Sequence, residues 1–133
     1  SPHDPAGVSP HLPRRPETHH LLDAAALEQM QAGAYLINTS RGDLVDADAL
    51  VDALDANTLA GAAIDVLEEE PPRRDERLLT HPKAFVTPHA AYYSEESSDE
   101  LSRRVAQNAI EGLEGCPATT LNPEALRNRD RPT

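Results

Sequence analysis

Three residues, Arg41, Glu70 and His89, each stand shortly after an apolar run, and together they could handle a small molecule that bears a carboxylate. An arginine guanidinium forks onto a carboxylate through two parallel hydrogen bonds, which a lysine ammonium does not match. A histidine, with an ordinary pKa of about 6.5, takes and gives protons near neutrality. A carboxylate beside such a histidine favours its protonated form and fixes its orientation. Each residue alone has an ordinary structural reading. An arginine after a strand is mostly a surface ion-pair residue, a histidine after proline mostly a turn residue, and a triplet such as Glu68-Glu69-Glu70 mostly a solvated loop. Their weight depends on whether one fold gathers them.

Other reactive side chains are less suggestive. His19-His20 and His81 have neither ligand spacing nor acidic partners arranged for zinc in the sequence, so they read as surface positions and no metal site is expected. Cys116, the one cysteine, forms no internal disulfide and fits a reducing cytoplasm; next to Pro117 it reads as structural or incidental. Nothing points to a covalent nucleophile.

The elements that must position the three residues follow from pattern. Asp23 caps a short helix reaching about Gln31, with Leu27 and Met30 on one face and Gly33 beyond its end. Ala34-Tyr35-Leu36-Ile37-Asn38 is an unbroken apolar run of strand length, which predicts a strand covered on both faces. Asp46 caps a second helix with Leu50, Val51 and Leu54 in one stripe. Residues 61–66 predict a second buried strand, 68–82 a loop with a short turn at Leu78-Leu79, and 84–87 a third strand. Ser94, with Glu95 and Glu96, opens the longest helix, its apolar stripe running through Leu101, Val105, Ala109 and Leu113, closed by Gly115 and Pro117. Strand and helix alternating three times predict an α/β fold, a parallel sheet with flanking helices.

In open α/β sheets ligands bind beyond the carboxyl ends of the strands. Arg41 follows the first predicted strand, Asp65 and the acidic triplet follow the second, and His89 follows the third, so all are expected on one edge of the sheet. That combination suits hydride transfer between a nicotinamide ring and a 2-hydroxy acid, which needs a proton acceptor for the hydroxyl and a cation for the carboxylate.

Composition narrows the partners. With 133 residues, 38% hydrophobic, the chain is sized for one lean domain, and a net charge of −11 argues against nucleic acid, which needs basic patches. The same charge predicts solubility and avoidance of anionic membrane surfaces, and no apolar run nears the roughly 20 residues of a membrane helix. Five prolines within the first sixteen residues predict an irregular opening. No signal peptide or initiating Met is visible, and an internal fragment is expected.

The motifs, taken in order, resemble the D-isomer-specific 2-hydroxyacid dehydrogenases. The resemblance rests on Leu12-Pro13 with Pro16-Glu17-Thr18, on Gly33 through Gly42, on Leu44-Val45-Asp46 with Ala49-Leu50, on Leu59 through Val66, on Glu70-Pro71, and on Thr87-Pro88-His89-Ala90-Ala91. It implies that Arg41 binds the substrate carboxylate or carbonyl, that His89 is the acid/base, and that Glu70 is its carboxylate partner. It also implies NAD as cofactor. Asp65 and His89 would lie at the nicotinamide, Thr39 and Ser40 near the nicotinamide ribose, and Pro13 and Thr18 near the adenosine and its ribose. The implied division is an irregular start over 1–11, the C-terminal half of a Rossmann-type NAD-binding domain over 12–117, and an extended tail over 118–133. The parent enzyme is expected to be a cytoplasmic homodimer acting on a 2-hydroxy or 2-oxo acid, without nucleic acid or membrane partners.

Two departures bear on subclass: no glycine follows His89 within a few residues, and Asp43 stands where a second glycine is usual. His89 through Ser94 resembles the branch containing the C-terminal-binding proteins, which implies an alternative, an NAD-responsive protein-binding scaffold of the corepressor type. With glycines only at 7, 33, 42, 61, 112 and 115, no G-x-G-x-x-G is present. The chain alone is therefore expected to be inactive.

Overall fold

The structure is a computed structural model that describes residues 6–115, and the statements below concern those residues. Cys116, Pro117 and the tail expected over 118–133 lie outside them. The chain divides into two units, one ending at Ala91 and one beginning at Tyr92.

The first unit is a four-stranded parallel sheet, in the order β1 (Gly7–Val8), β2 (Ala34–Asn38), β3 (Leu59–Ile64), β4 (Ala84–Val86). Helices α1 (Ala24–Glu28) and α2 (Ala47–Asp55) lie in the crossovers. The α/β expectation therefore holds, with one strand more than the sequence suggested. β1 falls in the opening stretch read as irregular and corrects that reading. It pairs Gly7 with Tyr35 and Val8 with Leu36, and the Tyr35 N–H donates to the Ala6 carbonyl at 2.9 Å. Main-chain hydrogen bonds make this strand; two residues among prolines carry no periodicity that would announce it.

Capping acids start both short helices as expected. The Asp23 carboxylate accepts from Ala26 N–H and that of Asp46 from Ala49 N–H, each satisfying a donor that the first turn leaves over. α1 is shorter than expected, closing at Gln29, whose N–H turns back to Ala26. β3 begins and ends two residues earlier than expected, because Asp65 and Val66 leave the ladder to form the turn described below.

Leu27, Leu36, Leu44, Leu50, Leu54 and Leu59 are fully buried in one cluster with Val51, Ile64 and Leu78. The stripe expected on α2 is thus the core face. The expectation that β2 is covered on both faces is corrected. Ala34, Leu36 and Asn38 are buried, but Tyr35 and Ile37, which point the other way, are 46% and 41% exposed, and Phe85 on β4 is 69% exposed. α1 and α2 pack on the same side of the sheet, so the run of five apolar-rich residues is buried on alternate positions only.

The second unit contains α3 (Glu95–Leu113). A capping box starts it: Ser94 Oγ accepts from Ser97 N–H and Ser97 Oγ from Ser94 N–H. Gly115, at φ +77°, ends it in the left-handed conformation that glycine adopts without strain. Its apolar residues Leu101, Val105 and Leu113 are exposed. No described helix is long and apolar enough to cross a membrane.

One-sided burial separates two kinds of substitution. Leu50→Ala, in the closed face, is expected to cost about 2–5 kcal/mol, whereas Ile37→Thr, in the open face, is expected to cost about 1 kcal/mol or less. Urea denaturation of the two variants beside the parent chain checks this, and equal losses would contradict the burial pattern.

Candidate active site

The loops after β2, β3 and β4 form one rim. The loop after β2 is shaped by Asn38, a buried polar residue that closes an otherwise apolar strand. Its Nδ2 donates to the Arg41 carbonyl at 2.8 Å, and its Oδ1 accepts from Ser40 N–H at 3.1 Å. This turn throws Arg41 outward beyond the strand end. Ser40 Oγ donates to the Leu12 carbonyl at 3.0 Å, joining the loop after β1 to the loop after β2.

Gly42 sets the distance between the second and third loops. A Cβ on it would lie 2.0 Å from the Leu67 carbonyl carbon and 2.4 Å from Glu68 N, closer than any side chain tolerates. Only glycine lets these two backbones touch, and their contact brings Arg41 beside the acidic loop. Asp43 is buried and meets Arg14 Nε at 2.8 Å. The residue that departs from the family's usual glycine thus has an arginine partner in the loop after β1.

At the end of β3 the buried Asp65 collects three donors. Oδ1 accepts from Thr87 Oγ1 and from Ala90 N–H at 2.8 Å, and Oδ2 accepts from Ala91 N–H at 2.9 Å. The Asp65 carbonyl also accepts from His89 N–H at 2.9 Å. Burial alone would raise this carboxyl. The Thr87 hydroxyl, the Ala91 and Ala90 N–H groups and the charge on His89 outweigh it, so the group sits below its ordinary 3.8. These bonds hold His89 at φ +52°, a left-handed backbone that is uncommon for a residue with a Cβ. The turn aims the imidazole at Glu70, whose Oε2 lies 2.7 Å from His89 Nδ1. A carboxylate only accepts, so Nδ1 carries the proton in this bond. Glu70 Oε1 accepts from Leu67 N–H at 2.9 Å. The His89 bond, aided by that N–H, outweighs burial and holds the Glu70 carboxyl below its ordinary 4.5, so it is charged at neutral pH.

Arg41, Glu70 and His89, expected together from the sequence, line one cleft of about 240 Å³, with Arg14, Gly42, Asp43 and Glu68. An adjoining cleft of about 560 Å³ is lined by Pro13, Thr39 and Ser40 and shares Arg14 and Arg41 with the first. Thr18 is not among the lining residues of either. Its hydroxyl donates to the Pro13 carbonyl at 2.9 Å and accepts from Arg15 N–H at 2.9 Å, closing the loop after β1 on itself. Asp65 lines neither cleft but a third, apolar one that Glu70 and His89 also border; with three bonds accepted, Oδ2 keeps one acceptor position. Asn38, Thr87 and Arg14 were not singled out from the sequence. An asparagine ending a buried strand was the available signal for the first; the other two are identified only by their partners.

Comparison with known proteins gives this rim a context. Residues 6–91 match the family model described as "D-isomer specific 2-hydroxyacid dehydrogenase, NAD binding domain". The chain is 40% identical over 123 residues to a glyoxylate reductase of Thermofilum pendens, covering 92% of this chain and 36% of that protein. It is 40% identical over 125 residues to a chloroplastic D-3-phosphoglycerate dehydrogenase of Arabidopsis thaliana, covering 90% of this chain and 20% of that one. Among solved structures it resembles the NAD-complexed form of a D-isomer specific 2-hydroxyacid dehydrogenase from Lactobacillus delbrueckii, with a TM-score of 0.75 and 31% identity over 87% of this chain and 40% of the other. The chain therefore spans between a fifth and two fifths of these relatives.

The Asp65 carboxyl makes the turn sensitive to acid. Its folded pKa is below the unfolded value, so its contribution is complete above about pH 3.8 and disappears as pH falls through the folded value. The amide proton shifts of Ala90 and Ala91, followed by NMR, are expected to stay constant down to pH 4 or so and to move together below it. Asp65→Asn should abolish that titration; titration of both amides near neutrality would contradict the assignment.

Proposed function

The chain belongs to the D-isomer specific 2-hydroxyacid dehydrogenases, as part of their NAD binding domain, and on that premise we propose that the protein it helps to build transfers a hydride between NAD and C2 of a D-2-hydroxy acid. The observation that carries this reading is the cleft lined by Arg41, Glu70 and His89, in which the His89–Glu70 pair is already made at 2.7 Å. The substrates are small 2-hydroxy and 2-oxo acids, the class to which glyoxylate belongs.

Bound NAD would supply the acceptor or donor of the hydride. The residues present suit its nicotinamide half: the two clefts adjoin at the strand ends, and Arg14 and Arg41 border both. Thr39 and Ser40 would border the nicotinamide ribose. Pro13 would border the adenosine side, and Thr18 would act there through the loop that its hydroxyl closes. The remaining acceptor position on Asp65 Oδ2 is suited to a carboxamide N–H.

Arg41 would hold the substrate carboxylate in a forked pair, fixing C2 and its oxygen relative to His89. In oxidation the hydroxyl proton passes to Nε2 of His89 as the hydride leaves C2; in reduction Nε2 returns it. Glu70 would hold the proton on Nδ1, keep the ring oriented, and stabilise the imidazolium that forms. An apolar cleft of about 370 Å³ also borders the His89–Glu70 pair, but neither Arg14 nor Arg41 lines it. The carboxylate belongs on the Arg41 side.

The fraction of its relatives' length that the chain spans supports the expectation that it does not turn over alone. The net charge of −11 speaks against nucleic acid as a partner, while Arg14 and Arg41 supply the local positive charge that a small anion needs. The same reading has the enzyme work as a homodimer in the cytoplasm, in keeping with the family resemblance and the lone cysteine.

In the enzyme that contains this domain, His89→Gln is expected to lower kcat by about 100-fold or more while leaving NADH affinity within about threefold. Steady-state kinetics with a 2-oxo acid and fluorescence titration with NADH measure the two. Undiminished turnover in the variant would remove His89 from the chemistry.

A further inference from the structure

At the edge of the Arg41–Glu70–His89 cleft, which Glu68 also lines, the structure gathers three side chains that no local spacing connects. His20 Nε2 lies 3.2 Å from Glu68 Oε2, and His19 Nε2 lies 3.5 Å from Glu68 Oε1. The three ligand atoms all fall within 4.8 Å of one another. In a tetrahedral site with bonds of about 2.1 Å, neighbouring ligand atoms stand about 3.4 Å apart. The two histidine–glutamate distances match that spacing, and both the two imidazoles and the carboxylate are ligands such an ion takes.

Backbone geometry shows that this convergence is built. Successive side chains of an extended chain point to opposite sides. Here His20 adopts φ +48°, a left-handed value rarely taken by a residue with a Cβ, and its N–H donates to the Asp43 carbonyl at 2.7 Å. The result is two adjacent histidine rings on one side of the chain, with centroids 3.9 Å apart and planes at 29°.

A second carboxylate completes the pattern. Asp46 Oδ2 lies 3.7 Å from His20 Nδ1, the ring nitrogen that does not face Glu68 most closely. At that separation the Asp46 charge, without a hydrogen bond to the ring, adds to the negative field that a cation would meet. All three ligand side chains are open to solvent by about a third to a half, so an ion could reach them.

We propose that His19, His20 and Glu68 form a binding site for one divalent transition ion of the zinc class, with water completing its shell. The ion would join the turn at 19–20 to the loop that carries Glu70, two segments 48 residues apart, and so stiffen the acidic side of the rim. This departs from the expectation of no metal site, which rested on spacing within the sequence. It stands independently of the dehydrogenase reading.

Calorimetric titration of the full chain with zinc chloride, in a buffer without chelators, tests it. The expected result is one zinc per chain, with His19→Gln and Glu68→Gln each weakening the affinity by about tenfold or more. His81→Gln and His89→Gln should leave it within about twofold of the parent. Both ligand substitutions are at exposed side chains, and circular dichroism verifies that each variant folds; either suffices if the other does not. No uptake at millimolar zinc would overturn the proposal, as would unchanged affinity in a folded His19→Gln or Glu68→Gln variant.

Discussion

Asp65 sits at the end of β3 with almost no contact with solvent, where a charged carboxylate is tenable only because donors surround it. Those donors are the Thr87 hydroxyl and the N–H groups of Ala90 and Ala91, which flank or follow His89 in the chain. The energetic requirement of one buried acid thus dictates the path of the next strand's loop. His89 takes a left-handed backbone because the bonds on either side of it leave no other course, and that conformation delivers its ring to Glu70.

A second constraint acts from the neighbouring loop. Gly42 lies against the backbone of Leu67 and Glu68 with no room for a Cβ, and Asn38 holds the turn that precedes it. Through this contact Arg41, whose guanidinium donates to the Ser40 carbonyl at 2.6 Å, lines the same cleft as Glu68 and Glu70. Beneath it the leucine cluster of α1, α2, β2 and β3 supplies a rigid base. Packing fixes the strand ends, Asn38, Asp65 and the close approach at Gly42 fix the loops, and the loops present the site residues.

Much of this was legible in the sequence. Ala34–Asn38 appears as the strand its apolar run predicted, Asp23, Asp46 and Ser94 cap the helices they were expected to cap, and the parallel order follows from strand and helix alternating. Arg41, Glu70 and His89 were expected on one edge because each follows a strand, and they line one cleft. What escaped depended on partners far away in the chain. β1 exists through main-chain bonds to β2, and a two-residue strand has no pattern of its own. An apolar run also looks the same whether one face of a sheet is covered or two, so the exposure of Tyr35 and Ile37 could not be read from it. The reason for Gly42 lies 25 residues away at Leu67, and the partner of His19 and His20 is Glu68. Local spacing carries no trace of such contacts.

In the proposed reaction Arg41 and His89 would act on one small acid while Glu70 holds the imidazole. A crystal structure of the enzyme containing this domain, with NADH and the unreactive 2-oxo acid analogue oxamate, tests it most directly. The expected complex has the oxamate carboxylate forked onto Arg41, its carbonyl oxygen within hydrogen-bond reach of His89 Nε2, and the His89–Glu70 bond intact. Oxamate bound away from Arg41, or a His89 ring turned from Glu70 in the complex, would contradict it.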